Sequence, residues 1–250
     1  MKRKILLLLI MICSIITNAQ NETSDKLEGK DLFDKVYNSY SGKKLSVVVL
    51  KDGKRIEGYK KDVDRKKGQI YYIKIKDEQT GKKLKFVSDQ IKEMYLFPGG
   101  IEKFSKSFRH IYDVRQWERT DLDNEIINQG YIYFKNQEVS LKNKKKKREY
   151  MMQLINPTFS KYLEVFGDPF AKETTKLGFA GFNVAGGLAK SYYIKKDGVI
   201  YWMHKRELDV RYEKLFGDCE EFVKKYPLKD IKWRYFSEYI LEYTKMMSKK

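Results

Sequence analysis

Histidines and clustered carboxylates are the residues from which metal or acid–base chemistry is usually built. The two histidines of this chain, His110 and His204, lie 94 residues apart. Neither has the partner at i+4 or the cysteine pairs that a zinc site needs. His204 follows Trp202-Met203 at the end of a predicted strand, which indicates a position on the rim of the fold. We therefore assign no metal-binding residue from the histidines.

An acidic cluster, Asp121 to Glu125, has the residue types of a calcium loop. An EF-hand also needs glycine at its sixth position and a bidentate glutamate at its twelfth. Counted from Asp121, those positions hold Ile126 and Ile132, so the cluster is predicted to be a helix end or a loop. The chain also lacks a Gly-x-Ser-x-Gly elbow and a phosphate-binding glycine loop. No catalytic or cofactor-binding residue is assigned.

The remaining chemical feature is a run of positive charge from Lys142 to Arg148. It is predicted to form the tip of a hairpin, and its candidate contacts with a polyanion are Lys144, Lys145, Lys146, Lys147 and Arg148. Each charge near an anionic surface contributes about 1 kcal/mol, so acidic glycan or anionic lipid would suit such a tip. The alternative is a solvated turn that keeps neighbouring strand edges from aggregating.

The first residues have the pattern of an export signal. Lys2, Arg3 and Lys4 precede an apolar run from Ile5 to Ile16, and the short residues Thr17-Asn18-Ala19 follow it. A helix of that run reaches about 18 Å at ~1.5 Å per residue, whereas a hydrocarbon core is about 30 Å thick. The pattern predicts cleavage near Ala19 and location in the periplasm or at the cell surface. An uncleaved anchor is the alternative.

Cleavage would leave 231 residues with one cysteine, Cys219, and no transmembrane span. An intramolecular disulfide would then be impossible, so stability must come from burial. The net charge would fall from +18 to +15, which still favours anionic partners. A lysine coat spread evenly over the surface is the alternative reading of that charge.

Residues 42–98 are predicted to form a small β-barrel. Leu45 to Leu50 and Ile56 to Val63 are apolar, β-branched runs joined by Asp52-Gly53, which predicts a hairpin with a type I′ turn. Runs at 69–76, 84–87 and 91–97 follow, each bounded by turn residues. Five short strands in one segment fit a barrel whose closure removes exposed sheet edges.

The segment resembles the first half of an Sm-like or SH3-like barrel. The resemblance rests on a short helix predicted at 31–40, the run Gly42 to Gly53, and Gly58 and Asp62. It implies the barrel fold. The asparagine that Sm proteins carry after the second strand is absent, and Ser88-Asp89-Gln90 replaces their Arg-Gly pair. These are RNA-binding positions of that family, so the resemblance speaks against nucleic acid as the partner.

The rest of the chain is predicted to be mixed. A helix is predicted over Ile101 to Tyr112, strands over 131–155, and a hairpin of Ser191 to Lys196 with Val199 to His204. Helices follow: one from Glu207 to Phe216 with Gly217 as C-cap, one capped by Asp218 with Glu221, and one from Asp230 that carries an apolar face. Several turn segments, Asn156-Pro157 among them, look similar to uncharacterised exported proteins of Gram-negative bacteria.

The sequence thus predicts an α+β fold with a signal peptide (1–19), a leader and short helix (20–41), a five-stranded barrel (42–98) and an antiparallel β region with C-terminal helices (99–250). It favours a non-catalytic envelope protein that binds or supports other molecules: anionic glycan, a lipid surface or another envelope protein. An envelope hydrolase with carboxylates that the sequence does not place, and a binder of polyanions or nucleic acid, are the alternatives.

If the signal is cleaved after Ala19, the intact mass of the protein isolated from its own cells will match a chain that begins at Gln20. A mass that includes residues 1–19 would contradict the prediction. A diacylglyceryl mass on Cys13 would indicate a lipoprotein instead.

Overall fold

The computed structural model describes residues 27–99, 122–144, 146–173, 178–179, 182–183 and 188–249. The strands are β1 (Leu45–Leu50), β2 (Arg55–Lys66), β3 (Gln69–Asp77), β4 (Lys83–Val87), β5 (Ile91–Leu96), β6 (Ile132–Val139), β7 (Arg148–Gln153), β8 (Glu164–Gly167), β9 (Gly178–Phe179), β10 (Phe182–Asn183), β11 (Ser191–Lys196) and β12 (Val199–His204). The helices are α1 (Asn124–Asn128), α2 (Leu208–Phe216), α3 (Glu220–Lys225) and α4 (Phe236–Met247).

Six antiparallel strands close a small barrel in the order β1-β2-β3-β7-β6-β5, and β5 pairs back with β1. The seam between β3 and β7 is the single pair Ile70 and Met151. Both side chains are fully buried, as are Ile73 and Ile75 of β3, and together with residues of the other strands they fill the interior. The α+β class and the small barrel are therefore confirmed.

The predicted count of five strands was wrong, because the ring contains six. Two of them, β6 and β7, come from beyond residue 98, and β4 lies outside the ring. The first residues of β3 pair with β7, and the residues from Tyr72 to Lys76 pair with β4. One edge of β3 therefore serves two strands in turn. Hydrophobic periodicity shows that a strand exists but not which distant strand takes its edge.

A three-stranded sheet, β12-β11-β8, lies between the barrel and the helices. Phe166 and Tyr193 on one of its faces join a cluster with barrel residues such as Val47 and Met152. The other face, which includes Ile194 and Met203, packs with residues of α2, α3 and α4. The β11–β12 hairpin has the predicted strand boundaries. Three buried clusters thus lie in layers, one inside the barrel and one on each face of the sheet.

Residues 27–41, which we call the strap, connect these layers. The strap contains no helix, so the helix predicted at 31–40 was wrong. Its backbone bonds to distant groups: Tyr37 N donates to Gln153 Oε1 (2.9 Å), Leu32 N to Ser237 Oγ (3.0 Å) and Lys30 N to Glu238 Oε1 (2.6 Å). Partners elsewhere in the chain therefore replace the hydrogen bonds that a helix would have made.

Two glycine turns show how the hairpins form. Asp197-Gly198 between β11 and β12 has positive φ at both residues, 48° and 78°, as a type I′ turn requires. At the β1–β2 hairpin only Gly53 has positive φ, 88°. Gly53 N donates to Leu50 O at 3.0 Å, and Leu50 N to Lys54 O at 2.9 Å. That hairpin is confirmed, but its loop has three residues instead of the expected two.

The C-terminal helices agree with the sequence except at two N-terminal ends, one of which is that of α4, since this helix begins at Phe236 instead of the predicted Asp230. Gly217 ends α2 as predicted, whereas α3 has Cys219 at its N-cap in place of Asp218. The carboxylate of Asp218 accepts hydrogen bonds from Lys196 Nζ (2.7 Å) and Tyr243 OH (2.9 Å). The Asp218 carboxylate therefore binds the buried Lys196, although the local sequence pattern predicts that it caps α3.

Several expectations fall on other parts of the chain. The signal segment, the helix predicted over Ile101 to Tyr112, His110 and Lys145 lie outside the described residues. Asp123, of the acidic cluster, caps α1 by accepting a hydrogen bond from Ile126 N at 3.1 Å. None of the helices described here has the length and apolar character needed to cross a membrane.

The Asp218 contacts predict an acid-dependent contribution to stability. Burial works to raise the pKa of the Asp218 carboxyl, but the hydrogen bonds from Lys196 and Tyr243 outweigh burial and lower that pKa below its usual value. A depressed pKa in the folded state stabilises the fold above the ordinary aspartate range, and this stabilisation is lost as pH falls through the folded pKa. Asp218→Asn is expected to cost about 1 kcal/mol at pH 7, or about 3 °C in Tm.

Thermal unfolding followed by circular dichroism at pH 7, 5 and 3 tests this expectation. The difference between Asp218→Asn and the unchanged protein is expected to shrink towards pH 3. Asp89→Asn, at an exposed aspartate, is the control and leaves Tm unchanged at each pH. A difference that stays constant down to pH 3 would contradict the role given to the Asp218 charge.

Candidate polyanion-binding surfaces

The described lysines of the basic run, Lys142, Lys144, Lys146 and Lys147, lie in the connection between β6 and β7, as predicted, and Arg148 is the first residue of β7. We call residues 142–148 the basic loop. Lys142, Lys144, Lys146, Lys147 and Arg148 are all exposed, and Lys145 is outside the described residues. The loop therefore presents its charges to solvent.

The start of the basic loop is fixed by contacts with the three-stranded sheet. Asn143 Nδ2 donates to Trp202 O in β12 (2.9 Å), and Trp202 N donates to Asn143 Oδ1 (3.1 Å). The backbone N–H of Lys142 donates to Tyr193 OH at 3.1 Å. Both Lys142 and Asn143 have positive φ, 53° and 54°. Because a lysine rarely adopts this conformation, these contacts are what hold it there.

A second loop beside the basic loop is organised by a buried carboxylate. Asp168 follows β8 and is 4% exposed. Its Oδ2 accepts hydrogen bonds from Ser191 Oγ (2.7 Å) and Trp202 Nε1 (2.8 Å), and its Oδ1 accepts one from Phe170 N (3.1 Å). These donors compensate the desolvation of the carboxylate. They also fix the short turn that carries Phe170.

Trp202 is consequently the shared support of both loops. Its backbone binds Asn143, and its indole binds Asp168. His204, two residues further along the same face of β12, has its ring 5.9 Å from the Trp202 ring. Burial, then the charge of Arg206, lowers the pKa of His204, which favours the neutral imidazole beside this support.

A second basic surface covers the outer side of β3 and β4. Lys74 lies directly opposite Lys85 in the register of these strands, and Lys76 lies directly opposite Lys83. We call these four residues the lysine face. Side chains repeat about every 6.8 Å along a strand, and adjacent strands lie about 4.8 Å apart. The strands therefore hold the four lysines in a two-by-two array on one surface.

Only one of the four lysines has a carboxylate partner in the described part of the chain. Lys74 Nζ lies 3.2 Å from Asp62 Oδ2, which also accepts a hydrogen bond from Tyr72 OH at 3.1 Å. The bond from Lys74, then the one from Tyr72, lowers the pKa of Asp62. Lys85 Nζ lies 4.1 Å from the centre of the Tyr72 ring, a cation–π contact. The array thus keeps a positive excess.

Packing beneath the lysine face holds its register. Leu84 and Phe86 of β4 pair with Ile75 and Ile73, and both pack against the cluster inside the barrel. A slip of one residue would turn Leu84 and Phe86 outward and bury the lysines. The hydrophobic contact therefore holds lysine opposite lysine, although like charges at such positions are destabilising.

Other buried carboxylates bind donors of their own chain. Glu164 lies 2.7 Å from Lys135 Nζ and 3.8 Å from Lys195 Nζ, and Glu238 accepts from the strap. Within the ranges that the structure describes, no group of three or more histidine, cysteine, aspartate and glutamate side chains has the geometry to hold a metal ion. Glu164 and Glu238 thus join neighbouring elements of the fold.

Sequence reasoning found the basic loop but missed Asp168, Phe170, Trp202 and the lysine face. Local pattern does not single out Asp168, because its partner Trp202 is 34 residues away in the chain. The lysines alternate with apolar residues in β3 and β4, so a signal was present in the sequence. Their direct opposition depends on strand register, which that alternation alone does not specify.

In comparisons with known proteins, the chain matches no family model, no curated protein and no solved structure. The small barrel is seen directly in the structure, whereas the likeness to uncharacterised exported proteins stays a prediction. Function has to be inferred from the surfaces described above.

Replacing Trp202 by phenylalanine should loosen both loops. The variant removes one donor from the buried Asp168 carboxylate, a loss expected to cost about 2 kcal/mol because hydrogen bonds to charged groups contribute about 1.5–3 kcal/mol. The Phe170 amide, which donates to the same carboxylate, is expected to exchange faster with solvent deuterium. Thermal unfolding and hydrogen exchange followed by mass spectrometry measure the two effects.

Trp233→Phe is the matched control. The Trp233 indole donates to a neutral acceptor, Ala189 O, at 2.9 Å in another part of the fold. This variant is expected to lose less stability and to leave exchange at Phe170 unchanged. Equal exchange at Phe170 in both variants would show that Trp202 does not support the loop.

Proposed function

We propose that this chain is an exported, non-catalytic binding protein whose ligand is an anionic polymer. The lysine face is the main contact surface, and the basic loop is a second one. The observation that carries the proposal is the opposition of Lys74 to Lys85 and of Lys76 to Lys83 on an ordered sheet. An arrangement that costs stability in the free protein becomes favourable when an anion lies between the charges.

Protection of a sheet edge does not explain this arrangement. Lysines on an edge strand discourage pairing with another chain, and β4 lies at the end of the strand order. Lys74 and Lys76, however, belong to β3, which pairs with β2 on one side and with β4 on the other. Lysines on β3 are therefore not edge residues, and their charges face the same outer surface as those of β4.

The net charge, +18 for the full chain and +15 after the proposed cleavage, supports the same proposal at longer range. A positive field raises the rate at which an anionic polymer meets the surface, and the lysine face and basic loop then provide the fixed contacts. Export, proposed from the first residues, would place the protein beside acidic glycans and anionic lipid headgroups. The hydrolase alternative stays a prediction without a named pair of carboxylates.

Removing the lysine face should weaken binding to a polyanion. In a face variant, Lys74, Lys76, Lys83 and Lys85 are all replaced by glutamine. At about 1 kcal/mol per charge near an anionic surface, the Kd for heparin is expected to rise by at least about tenfold. In a loop variant, Lys144 to Lys147 are replaced by glutamine. Isothermal titration at two salt concentrations measures both, with thermal unfolding to verify the fold.

A variant with the same loss of charge elsewhere is the control. Lys224, Lys229, Lys232 and Lys249 are exposed lysines of the C-terminal helical part. Their replacement by glutamine is expected to change the Kd by less than about threefold, since long-range charge is partly screened. If this control weakens binding as much as the face variant does, net charge alone is responsible and the proposed site is wrong. Unchanged binding by the loop variant would remove the basic loop from the site.

A further inference from the structure

The packing of the fold does not account for the exposure of Phe170. It is 55% exposed and is the only aromatic side chain classed as exposed among the residues whose burial the structure describes. Exposed aromatic rings are frequent in binding sites because a ring loses little conformational entropy when a ligand covers it. The groups that surround the Phe170 ring indicate which kind of ligand it would bind.

The turn that carries Phe170 is held from below. Its backbone N–H donates to the buried Asp168, and Trp202 and Ser191 bind the other oxygen of that carboxylate. The ring therefore stands on a rigid base instead of a free loop. A preorganised side chain of this kind binds with less ordering cost than a mobile one.

Lysine-bearing turns lie on two sides of the ring. Lys142 Nζ, at the start of the basic loop, lies 5.7 Å from the centre of the Phe170 ring. On another side is the β2–β3 turn, Lys67-Gly68, next to the exposed Lys66. An ideal Cβ placed on Gly68 would lie 2.9 Å from a Phe170 ring carbon, so the turn approaches the ring closely because this residue is glycine.

The backbone around Phe170 is also unusual. The described chain has four residues other than glycine with positive φ: Lys67, Lys142, Asn143 and Asp197. Three of them, Lys67, Lys142 and Asn143, belong to the two lysine-bearing turns beside Phe170. Lys67 and Gly68, with φ of 50° and 80°, have the geometry of a two-residue type I′ turn. Lys142 and Asn143 are held in a sparsely populated conformation by their contacts with Tyr193 and Trp202.

We propose that Phe170 is a stacking platform for one sugar ring of an acidic polysaccharide, with Lys66, Lys67 and Lys142 binding the carboxylate or sulfate groups beside that ring. The proposal rests on the proposed polyanion binding and names the ligand class. The negative face of an aromatic ring attracts the weakly positive C–H groups of a sugar. A chain of charged sugar rings can therefore stack on Phe170 and also bind the lysines, whereas a polyanion without rings can bind only the lysines.

A sugar fits this corner better than a nucleobase does. Proteins that bind single-stranded nucleic acid stack successive bases on several aromatic side chains. Here one exposed ring is present on the described surface, and the nearby Tyr71 ring is covered by Lys66 Nζ at 3.3 Å. The proposed export also places the protein among glycans.

The experiment compares two polyanions that differ in the presence of rings. Heparin and inorganic polyphosphate are titrated against the full chain, Phe170→Ala and Phe170→Trp at the same ionic strength. Phe170→Ala is expected to weaken heparin binding at least about fivefold, since one stacked ring contributes of that order, and polyphosphate binding by less than twofold. Phe170→Trp is expected to restore heparin binding.

Val210→Ala removes another exposed apolar side chain, 78% exposed on α2, and is expected to change neither affinity. An equal effect of Phe170→Ala on heparin and polyphosphate, or no effect on heparin, would overturn the stacking platform. A larger loss for an oligothymidylate than for heparin would overturn the sugar in favour of a nucleobase. If the unchanged protein bound neither heparin nor polyphosphate, the proposed function itself would fail, which separates the two proposals.

Discussion

One extended segment, the strap, contributes aromatic side chains to the core of the barrel and to the core beneath the helices. Phe33 enters the aromatic cluster around Phe159, Tyr192 and Phe236, whereas Tyr37 and Tyr40 enter the barrel interior. Each insertion buries an aromatic side chain, and between them the backbone N–H of Asp34 donates to Ile155 O at 2.7 Å. Because a single piece of chain contributes to both cores, the barrel and the helices cannot shift independently without exposing an aromatic ring or breaking a buried hydrogen bond.

How far the sequence predicted the fold depends on the distance over which each element is specified. The β11–β12 hairpin and α2 were predicted well because a turn glycine or a cap lies within each element. The helix at 31–40 failed for the opposite reason. Its apolar residues have near-helical spacing, yet Phe33 and Tyr37 serve different cores, and Gln153 takes the hydrogen bonds. Likewise, the barrel closes through a pair between β3 and β7 whose residues, Ile70 and Met151, are 81 apart in the chain.

The candidate surfaces divide in the same way. The basic run Lys144 to Lys147 is found directly in the sequence, and the strands predicted on either side of it place it in a connection between strands. The opposition of Lys76 to Lys83 follows from a register that Leu84 and Phe86 set through burial. The corner at Phe170 requires Asp168, Ser191 and Trp202 to converge from three strands or strand ends. Tertiary contacts, which periodicity does not encode, build this corner.

Because of the lysine face, added salt would act in opposite directions on the stability of the free protein and on the binding of a charged polymer. Added ions screen the repulsion between Lys76 and Lys83, so this repulsion destabilises the free protein less as ionic strength increases. The same ions compete with a charged polymer for the ammonium groups. If an anionic polymer binds this face, as proposed, low ionic strength would be the condition in which the repulsion between the lysines is strongest and also the condition in which the polymer binds most tightly. The polymer would then act as a multivalent counter-ion, and its dissociation would restore the repulsion between the lysines.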